Sequence, residues 1–302
     1  MRAGGKLLWA HLAILGANLI YGLNYVIAKG IMPDYMAPRT IILFRVTGAV
    51  AVFWMVSFFL KNEKVERKDL WRLLLVSFFG IALNQIMFFE GLNLTTPINA
   101  SIIMVGTPIL VLVFAHFLLK EHLTPLKSVG IALGSAGAVW LILKNGTVSF
   151  STGTFLGNLF ILINASSYAL FLVLIKPLMQ KYRALTVMKW VFTFGLVYVL
   201  PVSLPLAVHT DYSAIPFNIW MSVVYVVLFT TVLAYLLNNY SLKVVSPTVN
   251  SSYIYLQPFL ATVVAMAAGK DFLTWVEVVA AILIFSGVYL VSRPVKNADK
   301  DF

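Results

Sequence analysis

Long apolar runs follow one another along almost the whole chain, each about twenty residues long and each closed by a short cluster of charge, proline or glycine. A helix of roughly 20 mostly apolar residues crosses the hydrocarbon core of a bilayer, so the pattern predicts ten membrane-spanning helices and an all-α membrane protein. They fall near 9–29, 38–60, 70–93, 99–119, 126–144, 154–176, 185–207, 217–239, 248–269 and 275–293. Only Thr95, Thr96 and Pro97 separate the third from the fourth. The first run follows Arg2 and Lys6, as in a signal peptide, but it continues to about Ala28 without a small-residue cleavage site. It therefore reads as a retained first helix.

The polar punctuation repeats. Moved by 150 positions, Leu92, Pro97, Ser101, Pro108 and Leu110 fall on Leu242, Pro247, Ser251, Pro258 and Leu260. The same register carries Lys120-Glu121 onto Lys270-Asp271, Leu123-Thr124 onto Leu273-Thr274 and Gly137 onto Gly287. Upstream a shift of 147 brings Tyr21 and Lys29 onto Tyr168 and Lys176. The chain thus divides into repeats at 1–146 and 147–302, five expected helices in each, forming one membrane unit. Five is odd, so the halves enter the membrane in opposite senses, the inverted-repeat plan of alternating-access carriers. A duplication retained only for folding is the other reading.

Composition closes off soluble folds. Of 302 residues 61% are hydrophobic and 11% charged, against about 25% charged in a soluble domain, and mean hydropathy is +0.92. The net charge of +11 would suggest nucleic acid if the positive residues clustered on a soluble surface, but their placement is topological. With both termini cytoplasmic, 17 of the 22 Lys and Arg lie on that side. Lys29, Arg39, Lys144 and Lys270 lie opposite, and Arg45 lies inside a helix. That is the positive-inside bias of a bacterial inner (plasma) membrane protein. The absence of cysteine excludes disulfides and thiolate-held metal.

Thr96-Pro97-Ile98-Asn99-Ala100-Ser101, Pro108, Lys120-Glu121 with Leu123-Thr124, and Gly130, Gly134 and Gly137 form a set. The second half repeats it more loosely from Ser246-Pro247 through Pro258 to Lys270-Asp271 and Gly287, and Phe44-Arg45-Val46 lies early in the second helix. This duplicated set resembles the EamA family of the drug/metabolite transporter superfamily. The resemblance covers nearly the whole chain. It implies a ten-helix carrier with a central cavity that exports amino acids or other small metabolites.

Ionisable residues within a membrane span mark functional sites by default. Arg45 lies roughly 10 Å inside its helix at 1.5 Å per residue. Two roles are open: its planar fork of donors holds a substrate carboxylate or phosphate, or it is a structural charge paired with Glu90. Glu90 is the carboxylate well within a span, and a proton-coupled carrier would use such a group; pairing with Arg45 would instead keep it charged. Asn18, Tyr21 and Asn24, with Tyr25, line helix one, and Asn164 with Tyr168 lines its counterpart, helix six. Asn250, Tyr253 and Gln257 share a face of helix nine by their i, i+3, i+7 spacing. Each of these is a candidate substrate contact or an interhelical hydrogen-bonding residue.

Tyr235, Asn238 and Asn239 gather at the inner end of helix eight, where an interfacial anchor is expected, and His116 is expected to pack neutral. Pro108 and Pro258 are candidate hinges or fixed bends, since each removes a helical hydrogen bond. The glycines at 130 and 134 predict a packing or dimer-facing helix five.

No Walker motif, metal-ligand cluster or catalytic set is legible, so neither ATP drive, metal, cofactor nor catalytic residue is expected. The expected function is a secondary transporter exporting a small polar metabolite, an amino acid or related compound, by alternating access. Its partners are that substrate, the lipid bilayer and a coupling proton or ion, with the chain a monomer or homodimer. The alternatives are a receptor or scaffold, which should carry a soluble domain, and a membrane-embedded enzyme, which should cluster His, Asp and Glu.

Overall fold

Proline and a hydroxyl start the helices where the sequence punctuates them. A computed structural model describes residues 3–60, 63–144, 152–267 and 274–293. Thr96 is extended and its side chain accepts from Asn99 N–H at 3.1 Å, with Pro97 in the first turn. Ser246 does the same for Val249 N–H at 3.3 Å, ahead of Pro247. These are N-caps with a proline where no donor is missed. The boundary of helices three and four therefore falls where Thr95-Thr96-Pro97 placed it.

The described residues are helical, and no strand occurs among them. The helices are α1 (Ala3–Ile31), α2 (Pro38–Phe58), α3 (Arg67–Leu94) and α4 (Pro97–Leu119). After them come α5 (Pro125–Lys144), α6 (Thr152–Lys181), α7 (Ala184–Val208) and α8 (Phe217–Val244). These eight are long and apolar enough to cross a membrane. The ninth expected span is two helices, α9 (Pro247–Ser252) and α10 (Leu256–Ala267), joined by a 3-10 turn at Tyr253–Tyr255. The last is α11 (Trp275–Ser292), 18 residues long. Among the described residues eight spans rather than ten meet the length and hydropathy requirement, and the ninth expected span is interrupted by its 3-10 turn. Lys270 and Asp271 lie outside the described residues, as do Arg2, Lys61, Lys296 and Lys300.

Packing is preserved when the halves are exchanged. α1 packs along α8 as α6 packs along α3, and α1 meets α10 as α6 meets α4. α2 pairs with its own counterpart α7, and α5 with its counterpart α11. At α5–α11 a Cβ on Gly130 would lie 2.7 Å from Gly287 O, and one on Gly287 would lie 2.6 Å from Gly130 O. Only hydrogen lets the two backbones approach so closely. The glycines of helix five therefore face α11 inside the chain, and Gly134 receives the Tyr255 ring. A dimer-facing role for that stripe is ruled out, because its surface is already occupied.

Breaks in the helices also correspond. Phe78–Leu83 in α3 and Val226–Leu233 in α8 are π-helical turns. A wide turn leaves carbonyls to be satisfied from outside. In α3, Phe79 O accepts from Ser167 Oγ of α6 at 2.7 Å and Gly80 O from the Tyr235 hydroxyl of α8 at 3.2 Å. In α8, Val226 O accepts from the Thr231 hydroxyl at 2.7 Å. Two candidate hinges lie beside further breaks. Pro108 follows Gly106, whose N–H reaches back only to Ile103 O (3.0 Å), and Pro258 follows the 3-10 turn at 253–255.

Lysines clasp helix ends in the same way. Lys29 Nζ donates to Leu92 O and Asn93 O at 2.8 and 3.0 Å, and Lys176 Nζ to Leu242 O and Val245 O at 2.6 and 2.7 Å. Both satisfy carbonyls that a helix end leaves free. Across the halves, buried Asp69 at the start of α3 accepts from Lys181 Nζ (2.7 Å) and the Tyr182 hydroxyl (2.8 Å). The Lys120-Glu121 motif is structural here. Glu121 takes Lys127 Nζ at 2.6 Å and the Ser246 hydroxyl at 2.9 Å, joining the start of α5 to the cap of α9.

Candidate functional site

Where the π turns and the breaks meet, the helices leave a cavity of about 80 Å³. Both halves build it. From the first come Tyr21, Asn24 and Tyr25 of α1, Arg45 of α2, Asn84, Gln85, Phe88 and Phe89 of α3, and Met104 of α4. The second adds Asn164 and Tyr168 of α6, Thr230 and Tyr235 of α8, then Ile254 and Gln257 at the broken ninth segment.

Arg45 is 4% exposed. Its Nε donates to Thr231 Oγ1 at 2.8 Å, and its Cζ lies 4.8 Å from the centre of the Phe89 ring. Thr231 can accept because its own proton goes to Val226 O in the π turn. Glu90 does not reach Arg45. Its Oε1 accepts from Arg39 Nε at 2.7 Å, and this pair is half open, with side chains 41% and 21% exposed. Of the two roles left open for Arg45, the pair with Glu90 does not form, because Phe89 and not Glu90 is turned towards Arg45 and Arg39 holds Glu90 instead. Glu90 stands outside the cavity lining, and among the described residues no carboxylate lines it.

Of the other predicted contacts, Tyr21, Asn24, Asn164, Tyr168 and Gln257 line the cavity with Arg45. Asn18 stands behind Gln257: it accepts from Gln257 Nε2 at 2.8 Å and donates to Ile14 O at 2.8 Å. The helix-nine face is split by the 3-10 turn. Asn250 Nδ2 donates to Asn238 O at 3.1 Å, and the Tyr253 hydroxyl meets His11 Nδ1 at 2.6 Å, both away from the lining. Helical spacing put the three on one face, but the tightened turn at 253–255 rotates Gln257 away from the other two.

Tyr235, Asn238 and Asn239 are not interfacial. They are 4%, 1% and 0% exposed, and the Tyr235 ring packs edge-on to Tyr21 at 6.4 Å. Their helix end is covered by α1, α6 and α7, which hydropathy alone does not register. Gln85 and Tyr235 are the missed lining residues with a legible signal, since they occupy matching positions 150 apart beside the π turns.

The sequence profile of the EamA-like transporter family matches this chain twice, over residues 8–143 and 155–293. The uncharacterized transporter YyaM of Bacillus subtilis is 26% identical over 289 residues, 95% of this chain and 94% of that protein. A protein of Streptantibioticus cattleyicolor named "probable terminal-alkyne amino-acid exporter" is 24% identical over 251 residues, 83% of this chain and 82% of that one. In fold, a solved crystal structure superposes with a TM-score of 0.75 at 19% identity, over 97% of this chain and 99% of that one.

Proposed function

The chain belongs to the EamA-like transporter family, and on that footing we propose that it is a secondary transporter exporting a small polar metabolite, an amino acid or a related compound. It works by alternating access, with ten spans arranged as two inverted five-helix repeats at 1–146 and 147–302. It sits in the bacterial inner membrane with both termini cytoplasmic.

One observation carries this reading: a cavity whose walls of rings and amides come from both halves and which holds the buried Arg45. Carriers of this architecture bind at the interface between their repeats, near interrupted helices. The packing that survives exchange of the halves, the paired π turns and the paired breaks at Gly106 and 253–255 support two half-molecules moving about that cavity. The Asp69–Lys181–Tyr182 cluster fastens the halves together at one end of α3 and α6. The resemblance to the S. cattleyicolor exporter supports amino acids and their relatives as cargo.

Counterflow in proteoliposomes tests the proposal. Preloaded unlabelled cargo should drive transient accumulation of the labelled compound, and Arg45→Gln should abolish it while the protein stays monodisperse. Absence of exchange for amino acids and organic acids alike, under proton and sodium gradients, would overturn it.

A further inference from the structure

The transporter reading admits zwitterions, anions and neutral metabolites, and the charge of the cavity narrows the choice. Resting on that reading, we propose that the ligand is a monoanionic carboxylate with a planar, aromatic body and no free ammonium group. Arylacetic acids and amine-acylated aromatic amino acids have this chemistry.

Charge carries the first part. Arg45 is the charged residue among those lining the cavity. One of its nitrogens is engaged by Thr231, and its two terminal nitrogens have no hydrogen-bond partner among the described residues. The carboxylate that sequence placed near it is held by Arg39. A guanidinium buried without a counter-charge is unfavourable in a water-poor site, and its planar fork suits a carboxylate bound through both oxygens. A ligand of one negative charge leaves the loaded cavity neutral. A dianion would leave a negative charge unmatched, and a cation would repel Arg45. The ammonium of a zwitterion would meet only amides, hydroxyls and rings, and the loaded cavity would remain positive.

The walls carry the rest. Tyr21, Tyr25, Phe88, Phe89, Tyr168 and Tyr235 line the space with their rings. Tyr25 and Phe88 are set edge to face at 5.5 Å, as are Tyr21 and Tyr235 at 6.4 Å. Such walls favour a flat, apolar body. Asn164 Nδ2 donates to Asn84 O at 2.8 Å, which fixes the other amide atom as oxygen. That Oδ1, Asn24 Oδ1 and the Gln85 amide belong to lining residues and are buried without a hydrogen-bond partner. They fit neutral N–H or O–H groups of the ligand, such as an acylated amine provides.

The test is equilibrium binding of radiolabelled phenylacetate to the purified full chain at pH 7, with competition by N-acetylphenylalanine, phenylalanine, phenethylamine and phenyl phosphate. Counterflow of the same compounds runs in parallel. Phenylacetate and N-acetylphenylalanine should bind, with the other three at least about tenfold weaker, the step worth 1.4 kcal/mol. Arg45→Lys should weaken phenylacetate by about tenfold because it keeps the charge and loses the fork, and Arg45→Gln should abolish binding. If Arg45→Gln does not fold, the ligand ranking and the Arg45→Lys protein decide.

Phenylalanine binding as tightly as phenylacetate overturns the proposal, as does phenylacetate binding that ignores Arg45 or no binding at all. Counterflow of phenylalanine without phenylacetate binding removes the monoanion and leaves the carrier standing. The expected ranking without any counterflow supports the ligand class and removes the carrier.

Discussion

Lys29 and Lys176 stand at matching positions of the two halves, and each holds the carbonyl end of the third helix of its own half through two hydrogen bonds of 2.6–3.0 Å. A charged donor on otherwise free carbonyls contributes about 1.5–3 kcal/mol. Lys29→Met and Lys176→Met should each lower the midpoint of thermal unfolding in detergent. The two clasps share no partner, so the double substitution should show the sum of the single effects. A double variant no less stable than either single one would mean that the clasps act as one unit.

Glu90 and Arg45 should behave independently. Glu90 is engaged by Arg39 in a half-open pair, and such pairs are worth about 0–1 kcal/mol. Glu90→Gln should leave phenylacetate binding, exchange rate and the pH profile of exchange unchanged. A flattened pH profile in that variant would return Glu90 to the role of proton carrier.

The contact between α5 and α11 depends on two missing side chains. Gly287→Ala would place a Cβ 2.6 Å from Gly130 O and from Gly134 N, both backbone atoms that cannot rotate away. Separating the helices should cost about 1–3 kcal/mol and appear as a lowered melting midpoint. Because that face is internal, the oligomeric state measured by light scattering should not change.

Membrane orientation can be read directly, because the native chain has no cysteine. Single substitutions Lys64→Cys and Lys243→Cys should react with an impermeant maleimide only from the cytoplasmic side. Asp34→Cys and Asp211→Cys should react only from outside. Labelling of all four from one side would break the inverted topology.

Much of this arrangement is legible in the residues. Thr96-Pro97 and Ser246-Pro247 mark helix starts by their chemistry, and the 150-residue register aligns them. Arg45, Tyr21, Asn24, Asn164, Tyr168 and Gln257 attract notice as polar groups in apolar runs, and the fold brings them to one cavity. What stays hidden is rotation. Whether Glu90 or Phe89 faces Arg45 depends on the phase of α3 after its π turn, and no residue pattern in Phe78–Leu83 announces that turn. The same blindness hides the rotation that separates Tyr253 from Gln257. Arg39, counted only among the charges of the outer side, lies in the first turn of α2 within reach of Glu90.

The π turns have one more consequence. They begin 148 positions apart, at Phe78 and Val226, yet the regular helices after them resume 150 apart, at Asn84 and Ala234. The second turn is 8 residues long and the first 6, but the helical stretch before it is 9 residues against 11. α3 and α8 therefore have the same length of 28 residues and stand 150 positions apart at both ends. The wide turn opens two residues earlier in α8 than in α3 and closes in step with it, so Leu94 and Val244 end their helices at matching positions. A turn of this kind can move its own starting point without lengthening the helix that contains it.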